Sequence, residues 1–167
     1  MPFLLRKIQK AKWEPKEELP RGAIPADAIT SDMRTRSNRL SFWRAGNDGE
    51  DAMKEVVLAL AANFQRLDKI DIVCIDENSL RDSSIDVQDC PGRTPVRKLK
   101  VQHVDAVQLD MEKICLLART IASSMKSRFK RFRKKEVGEI LLTAVQEGRL
   151  ELDRLQDNLR SDLRGHE

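Results

Sequence analysis

Apolar and polar residues keep two different periods along this chain, and the last third keeps only one of them. Over residues 1–46 the extended pieces are short, broken by turn chemistry at Lys12-Trp13-Glu14-Pro15, Leu19-Pro20-Arg21-Gly22 and Ile24-Pro25. Proline fixes φ and removes a backbone donor, so these pieces suit edges and loops. Leu40-Ser41-Phe42-Trp43 is the most strand-like of them, and Gly46-Asn47-Asp48-Gly49 stops it. Asn47 and Glu50 then stand at capping-box spacing. Met53, Val56, Val57, Leu60, Phe64 and Leu67 recur every three or four residues, which predicts a helix over 50–67 with one apolar face. The run 70–75 suits a largely buried strand. Strand, helix, strand resembles a parallel crossover, although one such unit does not make a parallel sheet. Residues 76–95 are polar and turn-rich. Over 96–104 the period is two: Leu99, Val101 and His103 share one face, Lys98, Lys100 and Gln102 the other. That predicts a strand with one wet face.

From Asp105 onward the period is helical and no strand is predicted. Met111, Ile114, Ala118, Ile121, Met125, Phe129 and Phe132 form one stripe. A helix carrying it over 111–132 would be about 33 Å long. Val137, Ile140, Leu141, Ala144 and Val145 make a further apolar face, with Gly148 as a break. Leu152, Leu155, Leu159 and Leu163 make the last, with Gly165 as a stop. No repeat of 20–50 residues is present. The expected fold is α+β: a small mixed sheet with one packed helix over 1–108, and a helical half over 109–167. The two halves form one compact domain or a domain with a helical extension.

Composition narrows the function classes. Charged residues are 35% of the 167 and no run nears the roughly 18 apolar residues of a spanning helix. Aromatics are 4% with no Tyr, which argues against an aromatic base-stacking sheet. Seven glycines in no phosphate-loop arrangement exclude that motif. Cys74, Cys90 and Cys115 include no CxxC pair, and only His103 and His166 could complement them, so no metal and no cofactor is expected. Reduced thiols, with charge arriving at Arg6 and Lys7, lead to the expectation of a cytoplasmic protein without a leader.

The net charge of +4 conceals a division. Nine basic residues and no acid lie between Lys113 and Lys135, leaving 22 basic against 27 acidic elsewhere. Seven of the nine are Lys126, Arg128, Lys130, Arg131, Arg133, Lys134 and Lys135. On a basic amphipathic helix over about 111–135, such a field attracts polyphosphate backbones or an acidic protein surface. The plainer reading is neutralisation by the acidic tail, where 136–167 holds eight acids against four Arg. A membrane-surface helix is a third reading, since Phe129 and Phe132 sit among the cations. A smaller cluster, Arg34, Arg36, Arg39 and Arg44, surrounds Phe42 and Trp43. Rings among arginines suit single-strand binding, but Phe42 and Trp43 point to opposite faces of a strand, which favours core packing.

For catalysis, Cys90, His103 and Asp105 are the one candidate set of nucleophile, base and orienting carboxylate. His103 and Asp105 share a strand face, yet His103 also lines up with Leu99 and Val101, as a half-buried structural histidine would. Cys74 and Cys115 lie in apolar runs and read as core. The chain is therefore read as a non-enzymatic cytoplasmic binding or regulatory protein that contacts nucleic acid, DNA or RNA, or an acidic protein surface. The Leu152, Leu155, Leu159 and Leu163 stripe is a candidate helix partner or oligomer surface. The alternative is a small nucleic-acid-cleaving enzyme with His103 as general base. The short supply of proton-transfer groups argues against it.

Overall fold

In the computed structural model, which describes residues 2–14 and 17–165, the run 70–75 lies at the heart of a six-stranded sheet. The turn expected at Pro15 and the tail residue His166 fall outside the described residues. Strand β3 (Ile70–Asp76) is buried along nearly its whole length. Its Ile70, Ile72 and Cys74 enter one hydrophobic cluster and its Val73 and Ile75 enter another. A strand apolar on both faces requires cover on both. Three helices provide it on the first face: α3 (Glu50–Ala61), α6 (Lys134–Gln146) and α7 (Asp157–Arg164). On the second lie α5 (Met111–Ser124) and the short α1 (Lys10–Trp13), α2 (Ala26–Ser31) and α4 (Glu77–Asp82). The fold is α+β.

Besides β3 the sheet holds β1 (Phe3–Ile8), β2 (Leu40–Ala45), β4 (Val87–Asp89), β5 (His103–Ala106) and β6 (Phe129–Phe132). Their order is β4-β5-β2-β1-β3-β6, and every neighbouring pair is antiparallel. Because β2 and β3 both run against β1, they run parallel to one another. The crossover suggested by the sequence therefore exists in split form, with β1 inserted between its strands and α3 bridging them.

Several expectations are corrected. The stripe over 111–132 is not one helix: α5 ends at Ser124 and β6 pairs with β3, Phe129↔Val73 through Phe132↔Ile70. Serines 123, 124 and 127 stand at the break, where the Arg128 amide donates to the Ser124 carbonyl (2.7 Å). Serine competes for backbone groups and weakens a helix. The three-residue step from Phe129 to Phe132 then puts the rings on opposite sheet faces, and each finds a core there. Residues 97–102 are likewise not a strand but a 3-10 turn. A period of three brings Val96 and Leu99 together in the core and leaves Val101 74% exposed. The helix expected over 50–67 ends at Ala61. Asn47 does not cap it; its carboxamide oxygen accepts from the Gly49 amide (2.9 Å) one turn earlier.

Leu155, Leu159 and Leu163 are buried in the chain's own first-face core, with Leu152 packed against it. The leucine stripe is therefore not an open partner surface. Asp162 completes the docking of α7 by accepting from the Leu67 amide (2.9 Å). No helix among the described residues is long and apolar enough to cross a membrane.

Candidate functional site

The basic segment does not form a continuous cationic face, since part of it is built into the sheet. Arg131 grips the nearly buried Asp71 carboxylate with two parallel bonds, Nε to Oδ1 (2.7 Å) and Nη2 to Oδ2 (2.8 Å). Lys130, on the opposite face of β6, pairs with Glu50 and lies 5.1 Å from the centre of the Phe132 ring. Arg128 reaches Asp48 (3.3 Å) and the Phe3 ring (5.1 Å). The neutralising acids precede the segment by dozens of residues. Among the described residues the tail contributes only Glu139, at 3.9 Å from Lys135, while Glu136 accepts from the Arg133 amide (2.8 Å) and caps α6. Lys126, Arg133 and Lys134 remain exposed and make no ion pair among the described residues. They lie at opposite ends of β6, two separate points of charge.

The second cluster is also partly structural. Arg44 binds Glu77 (2.9 Å) and Asp89, and Arg39 lies 3.8 Å from Asp105. The hydrogen bonds that Arg44 donates to Glu77 are the main cause raising its pKa above the ordinary value. Arg36 and Arg39 close a tight turn by reciprocal backbone bonds (3.3 and 3.1 Å), with Arg34 and Arg36 exposed beside it. Phe42 and Trp43 are both buried, on opposite faces. Phe42 is not offered to a base, and Trp43, 6% exposed, reaches only the wall of a cavity.

A set that the sequence reading passed over is less encumbered. Arg93, Arg97, Lys98 and Lys100 are exposed, and none makes an ion pair with a described acid. Between Asp89 and Asp105 the chain has no acidic residue, and that gap was the signal available. The burial of Val96 and Leu99 anchors the segment from below, and the Gly92 amide ties it to the Lys100 carbonyl (2.8 Å). In a 3-10 turn residues three apart eclipse, so Arg97 and Lys100 lie on one side, about 6 Å apart along the axis.

Cys90, His103 and Asp105 are brought together, but not as a relay. The His103 Nδ1 lies 2.6 Å from the Cys90 carbonyl, which can only accept. That nitrogen therefore carries a proton, which in the neutral ring makes Nε2 the acceptor. Asp105 does not orient the ring; it accepts from the Ser41 hydroxyl (2.9 Å). Burial, together with the charge of Asp105 and a hydrogen bond to it, pushes the Cys90 thiol up. A thiol so held is a poor nucleophile at neutral pH. Among the described residues no group of three or more His, Cys, Asp and Glu is placed to hold a metal ion. Compared with protein-family models, with curated proteins and with solved structures, the chain matches none.

Proposed function

We propose that this chain is a non-enzymatic binding or regulatory protein that holds the phosphate backbone of a nucleic acid, with Arg97, Lys98 and Lys100 as the principal contacts. The observation that carries the reading is their position: three exposed cations on a turn anchored by core residues, with no described acid paired to them. Unpaired cations on a rigid support can exchange bulk counterions for phosphates without first breaking an internal ion pair. Lys126, Arg133 and Lys134 add to the field at longer range and steer encounter more than they contact. The cytoplasm is the compartment this reading implies. The test is a gel-shift titration of an arbitrary oligonucleotide at two salt concentrations. Binding should weaken steeply with salt, and the Arg97→Ala/Lys98→Ala/Lys100→Ala variant should bind weakly throughout. A wild type that binds neither DNA nor RNA at low salt would rule the reading out.

A further inference from the structure

The sheet opens where β1 and β2 part. Their pairing runs from Phe3↔Ala45 to Leu5↔Trp43 and stops. Beyond that point β1 continues on β3 as far as Ile8, and β2 continues on β5 as far as Leu40. The Ser41 carbonyl, left without a strand partner on that side, accepts instead from Arg6 Nη1 (2.6 Å). Nη2 of the same guanidinium reaches the Asp32 carbonyl, and its Cζ lies 5.4 Å from the centre of the Phe42 ring. Arg6 Nε is buried and has no hydrogen-bond partner among the described residues. Burial lowers the Arg6 pKa to about 10, against the opposing effect of Asp32, and so leaves the group cationic at neutral pH.

A cavity of about 420 Å³ lies over this opening, with Arg6, Lys7, Arg93 and His103 among its polar lining and Trp43 and Leu60 among its apolar lining. It carries no carboxylate, whereas each of the four other cavities compared has at least two acidic residues in its wall. Neither Lys7 nor Arg93 makes an ion pair with a described acid. Lys7 Nζ rests 4.4 Å from the centre of the Phe64 ring. The Arg93 carbonyl accepts from Asn63 Nδ2 (2.6 Å), which fastens the loop to the end of α3. Gly92 belongs to the same wall, and a Cβ there would meet the His103 Cβ at 2.8 Å and the Trp43 ring at 2.9 Å. The wall is thus set by close packing.

We propose that this cavity seats a phosphate monoester, with the dianion between Lys7 and Arg93, over the gap that the Arg6 guanidinium fills from the other face of the sheet, and the organic part against Trp43 and Leu60. A dianion whose three terminal oxygens share two negative charges, facing cations in a wall without a carboxylate, makes short, charge-assisted bonds, and the volume falls in the range of small-molecule sites. The group could belong to a small phosphate ester or to the 5′ end of a nucleic acid strand. The proposal does not depend on backbone binding by Arg97, Lys98 and Lys100.

Calorimetric titration of the full chain tests it, with inorganic phosphate, adenosine 5′-monophosphate, adenosine, and one oligonucleotide with and without its 5′-phosphate. Inorganic phosphate and the monophosphate should bind, and adenosine should not. Lys7→Ala and Arg93→Ala should each weaken phosphate about tenfold, the effect of losing one charge-assisted bond, while Arg119→Ala, at an exposed position of α5 on the other face of the sheet, leaves it unchanged. Lys7 and Arg93 are exposed and keep the test independent of Arg6, whose replacement could unfold the chain. Tighter binding of the oligonucleotide with its 5′-phosphate than without it supports the proposal with a strand end as ligand, and equal binding of the two with the monophosphate still bound supports it with a small ester. No phosphate binding at millimolar concentration, or equal weakening by Arg119→Ala, would overturn it. Loss of oligonucleotide binding in the Arg97/Lys98/Lys100 variant with phosphate binding retained bears on the backbone reading alone.

Discussion

Arg131 shows how a residue that looks like surface charge in sequence becomes part of the frame. Its two bonds satisfy both oxygens of Asp71, a carboxylate only 5% exposed. Burial by itself raises the Asp71 pKa, but the hydrogen bonds from Arg131 and the Lys10 amide, with the charges of Arg131 and Lys69, outweigh it and leave the net value lowered. A depressed folded-state carboxylate stabilises the fold above its unfolded pKa, near 4, and that stability is lost as pH falls through the folded value. Arg131→Ala should therefore cost about 1–2 kcal/mol at pH 7, discounted because the arginine is itself 43% exposed. Melting curves at pH 7 and pH 3 check the sign, since the gap from wild type should narrow at the lower pH. The cysteines separate in the same way. Burial, aided by Asp48, pushes the Cys74 thiol up to about 12, Cys90 is raised less, and Cys115 is exposed. The reading of Cys115 as core is thus corrected. Alkylation of the native protein should modify Cys115 first and Cys90 slowly, with the Cys90 rate rising with pH, and Cys74 only on unfolding. Mass spectrometry of timed samples reads the order. None of these pairings was legible in the sequence, because Asp71 and Arg131 stand 60 positions apart and only the strand register joins them.

Elements were legible where one apolar period had a single explanation. The runs 40–43 and 70–75, the helix from Glu50 and the α6 and α7 faces all appear close to where the pattern puts them. The failures share a cause: a three-residue step fits a helical stripe, a 3-10 turn, or two rings on opposite faces of a strand covered on both sides. Phe129 and Phe132 belong to the last case and Val96 and Leu99 to the second. β6 is an edge strand, and its Lys130 and Arg131 discourage pairing with another chain's edge. Phe132 is 1% exposed, so Phe132→Ala should cost about 3–5 kcal/mol by the scale of large core truncations. Phe129→Ala, at a half-buried ring, should cost clearly less, and denaturant titration of both variants reads the difference. A helix over 111–132 would make them nearly equal. The turn into β2 permits a gain in stability. Ser37 and Asn38 both hold positive φ, 53° and 56°, between the reciprocally bonded Arg36 and Arg39. Asn-Gly is the preferred pair for such a turn. Ser37→Asn/Asn38→Gly should therefore raise stability by about 1 kcal/mol, because glycine relieves the left-handed penalty, and a higher melting temperature would register it.

At the scale of the molecule, the division of charge seen in sequence survives folding in altered form. The strongest cationic run is tied into the sheet by Asp48, Glu50 and Asp71, while the weaker run at 93–100 is left open because the chain holds no acid from Cys90 to Val104. Counting charge along the sequence ranks these segments in one order, and counting charge without a partner ranks them in the other. The two rankings give opposite outcomes for paired substitutions. If backbone phosphates meet Arg97, Lys98 and Lys100, replacing all three by Ala should lower the log–log salt slope on duplex DNA by about 2.5 to 3 units, at roughly 0.9 per phosphate. The melting temperature should hardly move, because exposed unpaired cations contribute little to folding. Lys130→Ala/Arg131→Ala should do the reverse, lowering the melting temperature through the lost Asp71 and Glu50 pairs and leaving the slope within about half a unit of wild type. Anisotropy titrations at several salt concentrations, beside melting curves of the same samples, measure both quantities for both variants. A slope that falls with Lys130 and Arg131 but not with Arg97, Lys98 and Lys100 would return the binding surface to β6. It would also mean that phosphates displace Glu50 and Asp71 from their arginine and lysine partners when nucleic acid binds.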